Sequence, residues 1–378
     1  MQIQYPNAPA VEDLNEMAES IAGVLATECD NRRVHEFIAG KNDLDAQLQR
    51  LAVELGWLGI GLPEAFGGLD LGLDGLAVLH RQLGRRLAPG GLIATLSAAQ
   101  CLLEHADERQ RARYLPDIVS GRPQIAIPAD PERPRGGLML RNSALHGRID
   151  MLLGPADAQY AFVPFEIERG EQQWGMVEID SVGARLARRS TWDATRSVCV
   201  LDCNRAPVDM LNSTSPASVR DALSQHLALA VCWDSVGGAE AILLQTVHYL
   251  KGRTQFDRVL ASFQALKHRA ANLAVEVEVS SRLNEQALDA AVRRDPDAAL
   301  WTQLAKAKSS DMYALVTQDC LQLHGGVGFT WEFDCHLFLK RARLNQALAG
   351  DNRANLDAAE AALAQSVRAG RSVVELTQ

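Results

Sequence analysis

The chain has 378 residues, of which 47% are hydrophobic and 22% are charged, and its formal net charge is −9. This balance is typical of a folded globular protein and excludes an intrinsically disordered one. A net negative charge argues against a nucleic-acid partner, which would favour a basic surface. The length exceeds what one hydrophobic core usually serves, so we expect two or three domains.

The amino-terminal segment and the cysteines bear on where the protein works. Residues 1–17, MQIQYPNAPAVEDLNEM, have neither a basic start nor an apolar core, so we expect no signal peptide. We see no apolar run that approaches the length of a membrane span. The seven cysteines are odd in number and irregularly spaced, which favours reduced thiols. We therefore expect a cytoplasmic protein with no membrane span.

The first part of the chain has the hydrophobic spacing of helices. Leucines recur every three or four residues over 48–58, and residues 73–87 and 102–115 form two more amphipathic stretches. A glycine and a proline within 121–123 then end the helical pattern. The sequence thus predicts a helical domain over residues 1–123.

The middle of the chain has the alternating pattern of strands instead. The segments VEID at 177–180 and SVCVLDC at 197–203 alternate between apolar and polar residues, among many glycines and prolines. This pattern predicts a small antiparallel sheet domain over residues 124–212.

Helical periodicity returns in the last part of the chain. Apolar residues lie at four-residue intervals over 219–231, and residues 265–288, 298–323 and 347–374 are similarly periodic. Four long helices with short connections predict a helical bundle over residues 213–378.

Common nucleotide-binding and catalytic motifs are missing. No lysine lies in a P-loop, and the GGVG at 325–328 lacks the third glycine of a dinucleotide fingerprint and follows a helical stretch rather than a strand. No Ser/His/Asp or Cys/His nucleophile arrangement stands out. Asp193 and Thr195 look like ordinary loop residues.

A metal site has to be considered around the end of the third bundle segment. Cys320 and His324 lie one helical turn apart, and a Cys-His pair follows at 335–336. Structural zinc sites usually have two short ligand spacings, and this segment does not. We therefore expect no metal.

Several sequence blocks together resemble the acyl-CoA dehydrogenase family. The block AKAKSSDMYALVTQDCLQLHGGVGFTWEFDCHLFLKRARLNQALAGD at 305–351 is similar to the end of that family's chain. Residues 249–273 are similar to its Arg-x-x-Phe … Phe-Gln segment, and residues 56–71 and 114–122 resemble its amino-terminal signatures, in the same order and spacing.

The resemblance implies a fold, a reaction and a cofactor. The fold is of the mainly α, α+β class, with a helical N-terminal domain, a β-barrel-like middle domain and a C-terminal four-helix bundle. The reaction is α,β-dehydrogenation of an acyl-CoA thioester with FAD, in which a carboxylate removes the α proton. Six residues match family positions that contact FAD: Arg253, Phe256, Gln264, Gln322, Gly325 and Gly326.

Interpretations that involve no contact with FAD stay open for these residues at this point. Arg253 matches an arginine that in the family reaches across a subunit interface to the FAD pyrophosphate, but it also suits a solvated helix end. Phe256 and Gln264 could equally be core packing and an exposed helix amide. Gly325 and Gly326 could be a plain helix-ending pair.

The position of the family's catalytic glutamate lacks a carboxylate. Alignment without gaps puts Ala349 there, followed by Gly350 and Asp351. A second position used by some members, on the first bundle helix, falls at or near Leu227, again without a carboxylate. His226 beside it is a weak alternative base, because a helix-face histidine is more often structural. Asp351 is a weaker alternative, because it lies two residues beyond the family's glutamate position.

The segment expected to face this chain's own flavin is also altered. The family's TEP-x-x-GSD stretch corresponds to IAIPADPERPRGG at 125–137, which lacks the hydroxyl donor. Residues that serve a neighbour's FAD are thus kept, and residues that serve the chain's own flavin are lost. Heteromeric members of the family, notably in steroid side-chain catabolism, divide one working site between two unlike chains in this way.

The leading hypothesis is therefore the non-basic subunit of a heteromeric, α2β2 acyl-CoA dehydrogenase that completes the FAD site of a glutamate-bearing relative. An electron-transfer flavoprotein-like acceptor is one candidate redox partner, and the sequence does not identify the electron acceptor. Two alternatives stay open: a self-sufficient homo-oligomeric flavoenzyme (dehydrogenase, oxidase or monooxygenase) with another base, and a non-catalytic scaffold.

Overall fold

The computed structural model describes residues 9–167, 170–212 and 215–370. Its amino-terminal part contains six α-helices: α1 Val11–Glu28, α2 Asn31–Ile38, α3 Leu44–Glu54, α4 Gly72–Arg85, α5 Leu92–His105 and α6 Glu108–Val119.

One of the predicted amphipathic stretches is in fact two helices. The stretch 102–115 is interrupted after α5, and α6 begins where the Asp107 carboxylate accepts a hydrogen bond from the Gln110 amide at 2.7 Å. An aspartate in this position satisfies an amide that the helix itself leaves unpaired. The apolar spacing runs across the break and so conceals it.

The middle part is a sheet of eight strands. They are β1 Ile125–Pro128, β2 Arg135–Arg141, β3 Ala144–Leu153, β4 Tyr160–Glu166, β5 Gln172–Glu178, β6 Ala184–Arg189, β7 Val198–Ala206 and β8 Asp209–Met210. Their order is β6-β7-β3-β1-β4-β5-β8, and β2 pairs with β3 and β4.

This sheet is mixed rather than antiparallel throughout, which corrects the sequence prediction. Both β1 and β2 pair antiparallel to β3 and parallel to β4. Pro128 lies opposite Leu152, and Arg135 lies opposite Asp150. The two short strands thus share one strand position, from which residues 129–134 loop out opposite Met151. Alternation of apolar residues carries no information about this parallel pairing.

The last part is helical, with a short hairpin after its first helix. The elements are α7 Pro216–Gly252, β9 Thr254–Gln255, β10 Arg258–Val259, α8 Gln264–Val292, α9 Ala298–His324, α10 Cys335–Ala347 and α11 Asn352–Arg368. The predicted closing helix over 347–374 starts too early, because Ala347 ends α10 and α11 begins at Asn352. Residues 371–374 of that prediction lie outside the described part of the chain.

Helix α7 is long and apolar enough to cross a membrane by length and composition, which the sequence inspection overlooked. Within the described residues it is the one helix that meets this test, and 89% of its most apolar window is buried inside the protein. A buried central helix needs apolar residues on every face. Its composition is therefore that of a core helix.

Three large clusters of buried side chains form most of the core. The first joins α1–α4 to the bundle helices α7–α10, the second joins α5 and α6 to β1 and the first half of α7, and the third lies within the sheet. Two of these large clusters therefore cross between the amino-terminal helices and the bundle, which fixes the relative position of these parts.

Candidate functional site

The six residues matched to FAD contacts all lie exposed at one end of the bundle. Arg253 follows the last residue of α7, Gln264 begins α8, and Gln322 lies in the last turn of α9, just before Gly325 and Gly326. The elements therefore bring together residues that are up to 73 positions apart in the sequence.

Contacts between the helices hold this end together. The Tyr249 ring of α7 stacks on His324 of α9, with ring centroids 4.4 Å apart. The Arg269 guanidinium of α8 makes two hydrogen bonds, of 2.8 and 2.6 Å, to the Asp319 carboxylate of α9. The ends of α7 and α9 and the start of α8 are thereby fixed relative to one another.

Arg253 is exposed next to the end of α7. Within residues 9–167, 170–212 and 215–370, no carboxylate lies within ion-pair distance of its guanidinium. An exposed arginine with five donors suits a phosphate or pyrophosphate ligand.

Phe256 is at the tip of the β9–β10 hairpin, where it and Asp257 have φ angles of 52° and 61°. The side chain is 85% exposed, which excludes core packing as its explanation. Its ring lies 6.3 Å from Phe263, over which the Arg258 guanidinium stacks at 3.9 Å. The hairpin thus presents an aromatic ring and a cation next to Arg253.

The two glycines leave the surface open at the end of α9. Gly325 has φ 66° and ψ −147°, a conformation that is essentially restricted to glycine. A Cβ atom placed on Gly325 or Gly326 would meet no other heavy atom within 4 Å. A large ligand can therefore approach the backbone here, and together with Arg253 and Gln322 this end of the bundle fits a phosphate-bearing cofactor such as FAD.

The second place of interest is the loop at 348–351, which carries the family's glutamate position. Ala349 is buried, with φ 52°, and its backbone N–H donates to the Ala129 carbonyl oxygen at 2.7 Å. The Asn355 side-chain amide donates to the Ala349 carbonyl oxygen at 3.0 Å. The loop is thus bound directly to residues 129–134, the segment that leaves the sheet between β1 and β2.

Lys306 on α9 also holds this loop in place, and the sequence analysis did not identify it. Its ammonium group is fully buried and donates to the Gly350 carbonyl oxygen at 3.1 Å. Burial lowers the pKa of Lys306 to about 8, although the nearby Cys232 and Asp130 act in the opposite direction. The sequence feature that could have identified Lys306 is its position within an apolar helical stretch, since lysine is rarely buried without a partner.

The Asp351 side chain caps the start of helix α11. Its carboxylate accepts a hydrogen bond from the Ala354 amide at 2.8 Å, which begins α11. This contact explains the presence of an aspartate there without a catalytic role.

His226 lies on the side of α7 that faces away from Ala349. Its side chain is 4% exposed, and its Nε2 is 3.4 Å from a carboxylate oxygen of Glu104 on α5. It lines a cavity of about 20 Å³ between α4, α5 and α7, whereas its neighbours Gln225 and Ala228 line a separate cavity of about 280 Å³ next to Ala349. The structure therefore does not bring His226 to the glutamate position.

Asp193 and Thr195, predicted to be ordinary loop residues, belong to a buried ion network. The Arg341 guanidinium of α10 donates to the Asp193 carboxylate at 2.6 Å and to Asp234 of α7 at 3.2 Å, and it also contacts the Thr195 hydroxyl. Arg196 donates to the same Asp234 oxygen at 2.6 Å. The prediction was wrong because the partners lie up to 148 positions apart in sequence.

The cysteine and histidine pair considered for zinc makes internal contacts instead. His324 Nδ1 lies 2.8 Å from the Cys320 carbonyl oxygen and 3.4 Å from the Cys335 sulfur. In the part of the chain that the structure describes, no group of three or more potential ligands could hold a metal ion.

Helices, a mixed sheet and a bundle follow one another in this order, and the bundle ends in an open cationic surface with two glycines, which is the architecture that the resemblance implied. Family models agree. Residues 11–122 match the acyl-CoA dehydrogenase N-terminal domain and residues 221–364 match the C-terminal domain. The chain belongs to the acyl-CoA dehydrogenase family, whose members are FAD-dependent oxidoreductases acting on CH–CH donors. The predicted family, fold class and cofactor are thereby confirmed.

Individual relatives are similar over almost the full chain. The acyl-CoA dehydrogenase IpdE2 of Mycobacterium tuberculosis is 29% identical over 88% of this chain and 91% of its own. The ChsE4-ChsE5 complex from M. tuberculosis contains a chain with a TM-score of 0.85 and 22% identity, covering 96% of this chain and 99% of that one. A single-substitution variant of the Tcur3481-Tcur3483 steroid ACAD gives a TM-score of 0.83 at 24% identity, with 94% and 99% covered.

Proposed function

We propose that this chain is the non-basic subunit of a heteromeric, α2β2 acyl-CoA dehydrogenase and completes the FAD site of a glutamate-bearing partner subunit. The observation that carries this proposal is the hydrogen bond of 2.7 Å between Ala349 N–H and the Ala129 carbonyl oxygen. It joins the two segments between which the family resemblance would place the chain's own flavin ring and base.

The geometry of that contact argues against a flavin ring in this chain's own half-site. A planar ring between two walls needs about 7 Å between wall atoms, since carbon atoms in contact lie about 3.5 Å apart. At the point of this direct hydrogen bond the two walls leave no such gap. Ala349 also has no group that could accept a proton, and the Ala349 amide is already used as a donor.

The open end of the bundle has the opposite character. Arg253 would hold the pyrophosphate of FAD, Gln322 would donate or accept hydrogen bonds at its edge, and Gly325 and Gly326 would let the backbone come close. Bound FAD accepts the hydride in the α,β-dehydrogenation of an acyl-CoA thioester. On this proposal the base and the thioester pocket belong to the partner subunit.

Exposed apolar side chains on α8 and α9 support a partner subunit. Val275 and Val279 on α8 are 60% and 49% exposed, and Leu315 on α9 is 44% exposed. Leu315 lies seven residues before Gln322, so both project from the same side of α9. Large apolar side chains that share one face favour contact with another protein.

The finer parts of the proposal rest on family likeness. The steroid description of one structural neighbour supports a bulky acyl-CoA, such as a steroid side chain, as the substrate class. The complex of two chains in another supports the heteromer. An electron-transfer flavoprotein-like acceptor, a cytoplasmic location and domain boundaries at residues 123 and 212 belong to the same proposal. The seven cysteines are all free and buried, which suits a reducing compartment.

The test is the visible absorption of the purified chain, alone and after co-expression with a glutamate-bearing relative, with flavin counted per chain. We expect colourless protein alone and FAD in the mixed complex. Arg253→Ala should remove FAD from that complex, whereas Arg282→Ala, at an exposed position on α8, should leave it in place.

Other outcomes would overturn the proposal. Near-stoichiometric flavin in the chain alone, bleached by an acyl-CoA, would establish a self-sufficient enzyme with an unrecognised base. Colourless protein under both conditions would favour a non-catalytic scaffold. Full FAD retention in the Arg253→Ala complex would remove the role assigned to that residue.

A further inference from the structure

The segment that follows the two glycines is attached to the amino-terminal helices as well as to the bundle. His35 Nε2 of α2 lies 2.7 Å from a carboxylate oxygen of Asp334, and the Asn31 side-chain amide donates to the other oxygen. The Asp334 side chain is 11% exposed. Two groups of one short helix thus bind the residue just before α10.

Aromatic rings extend this contact. The Trp331 ring lies 4.7 Å from His336 and 5.7 Å from His35, both edge to face. His336 is buried, and neither of its ring nitrogens has a hydrogen-bond partner among the described residues. Packing, rather than hydrogen bonding, therefore places the Trp331 and His336 rings against α2.

The same segment reaches the glycines from its other side. Phe333 packs against Tyr249 and His324, with ring centroids 5.5 and 5.3 Å apart, and His324 precedes Gly325 directly. A continuous series of contacts therefore runs from α2 through Asp334 and Phe333 to the glycine pair.

Open space lies beside this segment. A cavity of about 650 Å³ is bounded by α2, the end of α7 and the residues around Phe333. On this side the segment borders a cavity instead of a packed surface, so its contacts with α2 and with the ends of α7 and α9 fix its position.

From this geometry we propose that His35 and Asp334 are positioning residues for the surface that completes the FAD site. By holding the segment 325–334 against α2, they set the place of Gly325 and Gly326 relative to Arg253. This inference rests on the proposed function, since it concerns the same FAD-completing surface. It assigns a role in cofactor binding to a helix that contains none of the matched FAD residues.

The test compares two histidines in matched surroundings. His35→Leu removes the contact with Asp334. His105→Leu is the control, because His105 lies 3.9 Å from the Glu104 carboxylate in the same part of the chain and is 22% exposed, against 24% for His35. His35→Gln is the conservative variant, since its amide nitrogen can still donate to Asp334.

Hydrogen exchange of the chain alone is the first measurement. We expect His35→Leu to speed exchange of the amides of residues 325–334 about tenfold, as loss of one charge-assisted hydrogen bond would. His105→Leu should leave that segment unchanged, and His35→Gln should restore slow exchange. Unchanged exchange in His35→Leu would overturn the inference whether or not the chain completes an FAD site.

The dissociation constant of FAD in the heteromeric complex is the second measurement. We expect it to rise about tenfold for His35→Leu and to return towards the wild-type value for His35→Gln. An unchanged constant despite faster exchange would overturn the positioning role. Failure of the wild-type chain to bind FAD with any partner would instead refute the proposed function, and the exchange result alone would then decide whether α2 positions the segment.

Discussion

Replacement of Arg341 by methionine should destabilise the protein severely. Its guanidinium contacts Asp193 and Asp234, and it also lies 3.4 and 3.3 Å from the carbonyl oxygens of Leu87 and Ala88. Burial lowers the pKa of Arg341, but the two carboxylates more than offset this and raise it. The side chain is therefore charged, and it joins α10 to the loop between β6 and β7, to α7 and to the segment after α4.

The magnitude follows from the charges that remain. With Arg341 and Arg196 facing Asp193 and Asp234, the buried network is neutral, and removal of one guanidinium leaves an uncompensated carboxylate. We expect a loss of about 3–5 kcal/mol in the free energy of unfolding. For a chain of 378 residues this corresponds to a fall of roughly 4–6 °C in Tm.

Urea unfolding followed by circular dichroism measures this loss directly. Arg282→Met is the control, because Arg282 is 70% exposed and pairs with two surface glutamates, so it should cost less than about 1 kcal/mol. Adding Asp193→Asn to Arg341→Met should recover part of the loss, since it removes the unpaired charge. A cost of Arg341→Met no larger than that of the control would refute the reasoning.

Three further predictions concern pH and the glutamate position. Burial lowers the pKa of His80 to about 4. Because the unfolded chain binds the proton at higher pH than the folded chain, the free energy of unfolding should fall by about 3 kcal/mol as pH drops from 6.5 to 4. His80→Gln should flatten that part of the stability curve in unfolding titrations. Asp351→Ala should cost about 1 kcal/mol through loss of the α11 cap, without any change in the turnover of the mixed complex; a large loss of turnover would restore Asp351 as a candidate base. Ala349→Glu should give the isolated chain no dehydrogenase activity and should lower its Tm, because it buries a carboxylate in a closed loop; acyl-CoA-dependent flavin bleaching by this variant would show that the half-site opens.

The regular helices were the most predictable part of the fold. Their apolar spacing located α8 and α9 to within a few residues, because each buries one face over many turns. Helix boundaries were less predictable, since the break between α5 and α6 depends on the Asp107 cap rather than on hydrophobic spacing. The parallel pairing of β1 and β2 with β4 was invisible, because it joins segments that alternation alone cannot order.

The candidate site was predictable only where family likeness supplied it. Residues such as Arg253 and Gly325 stand in recognisable blocks, so their sequence positions were available before the structure. Lys306 and Arg341 were not, because their importance comes from burial against residues far along the chain. Likewise, only the structure shows that Ala349 is bonded to Ala129, since no local pattern links two residues so far apart in sequence.

The hydrophobic core shared by α1–α4 and the bundle has a consequence for how this protein can be divided. Three parts follow one another in sequence, yet the amino-terminal helices and α7–α10 bury their apolar faces against each other. A fragment that ends near residue 123 or begins near residue 213 would expose its side of that shared interior to water and would aggregate. The amino-terminal helices therefore complete their core only after the carboxyl-terminal helices have been synthesised.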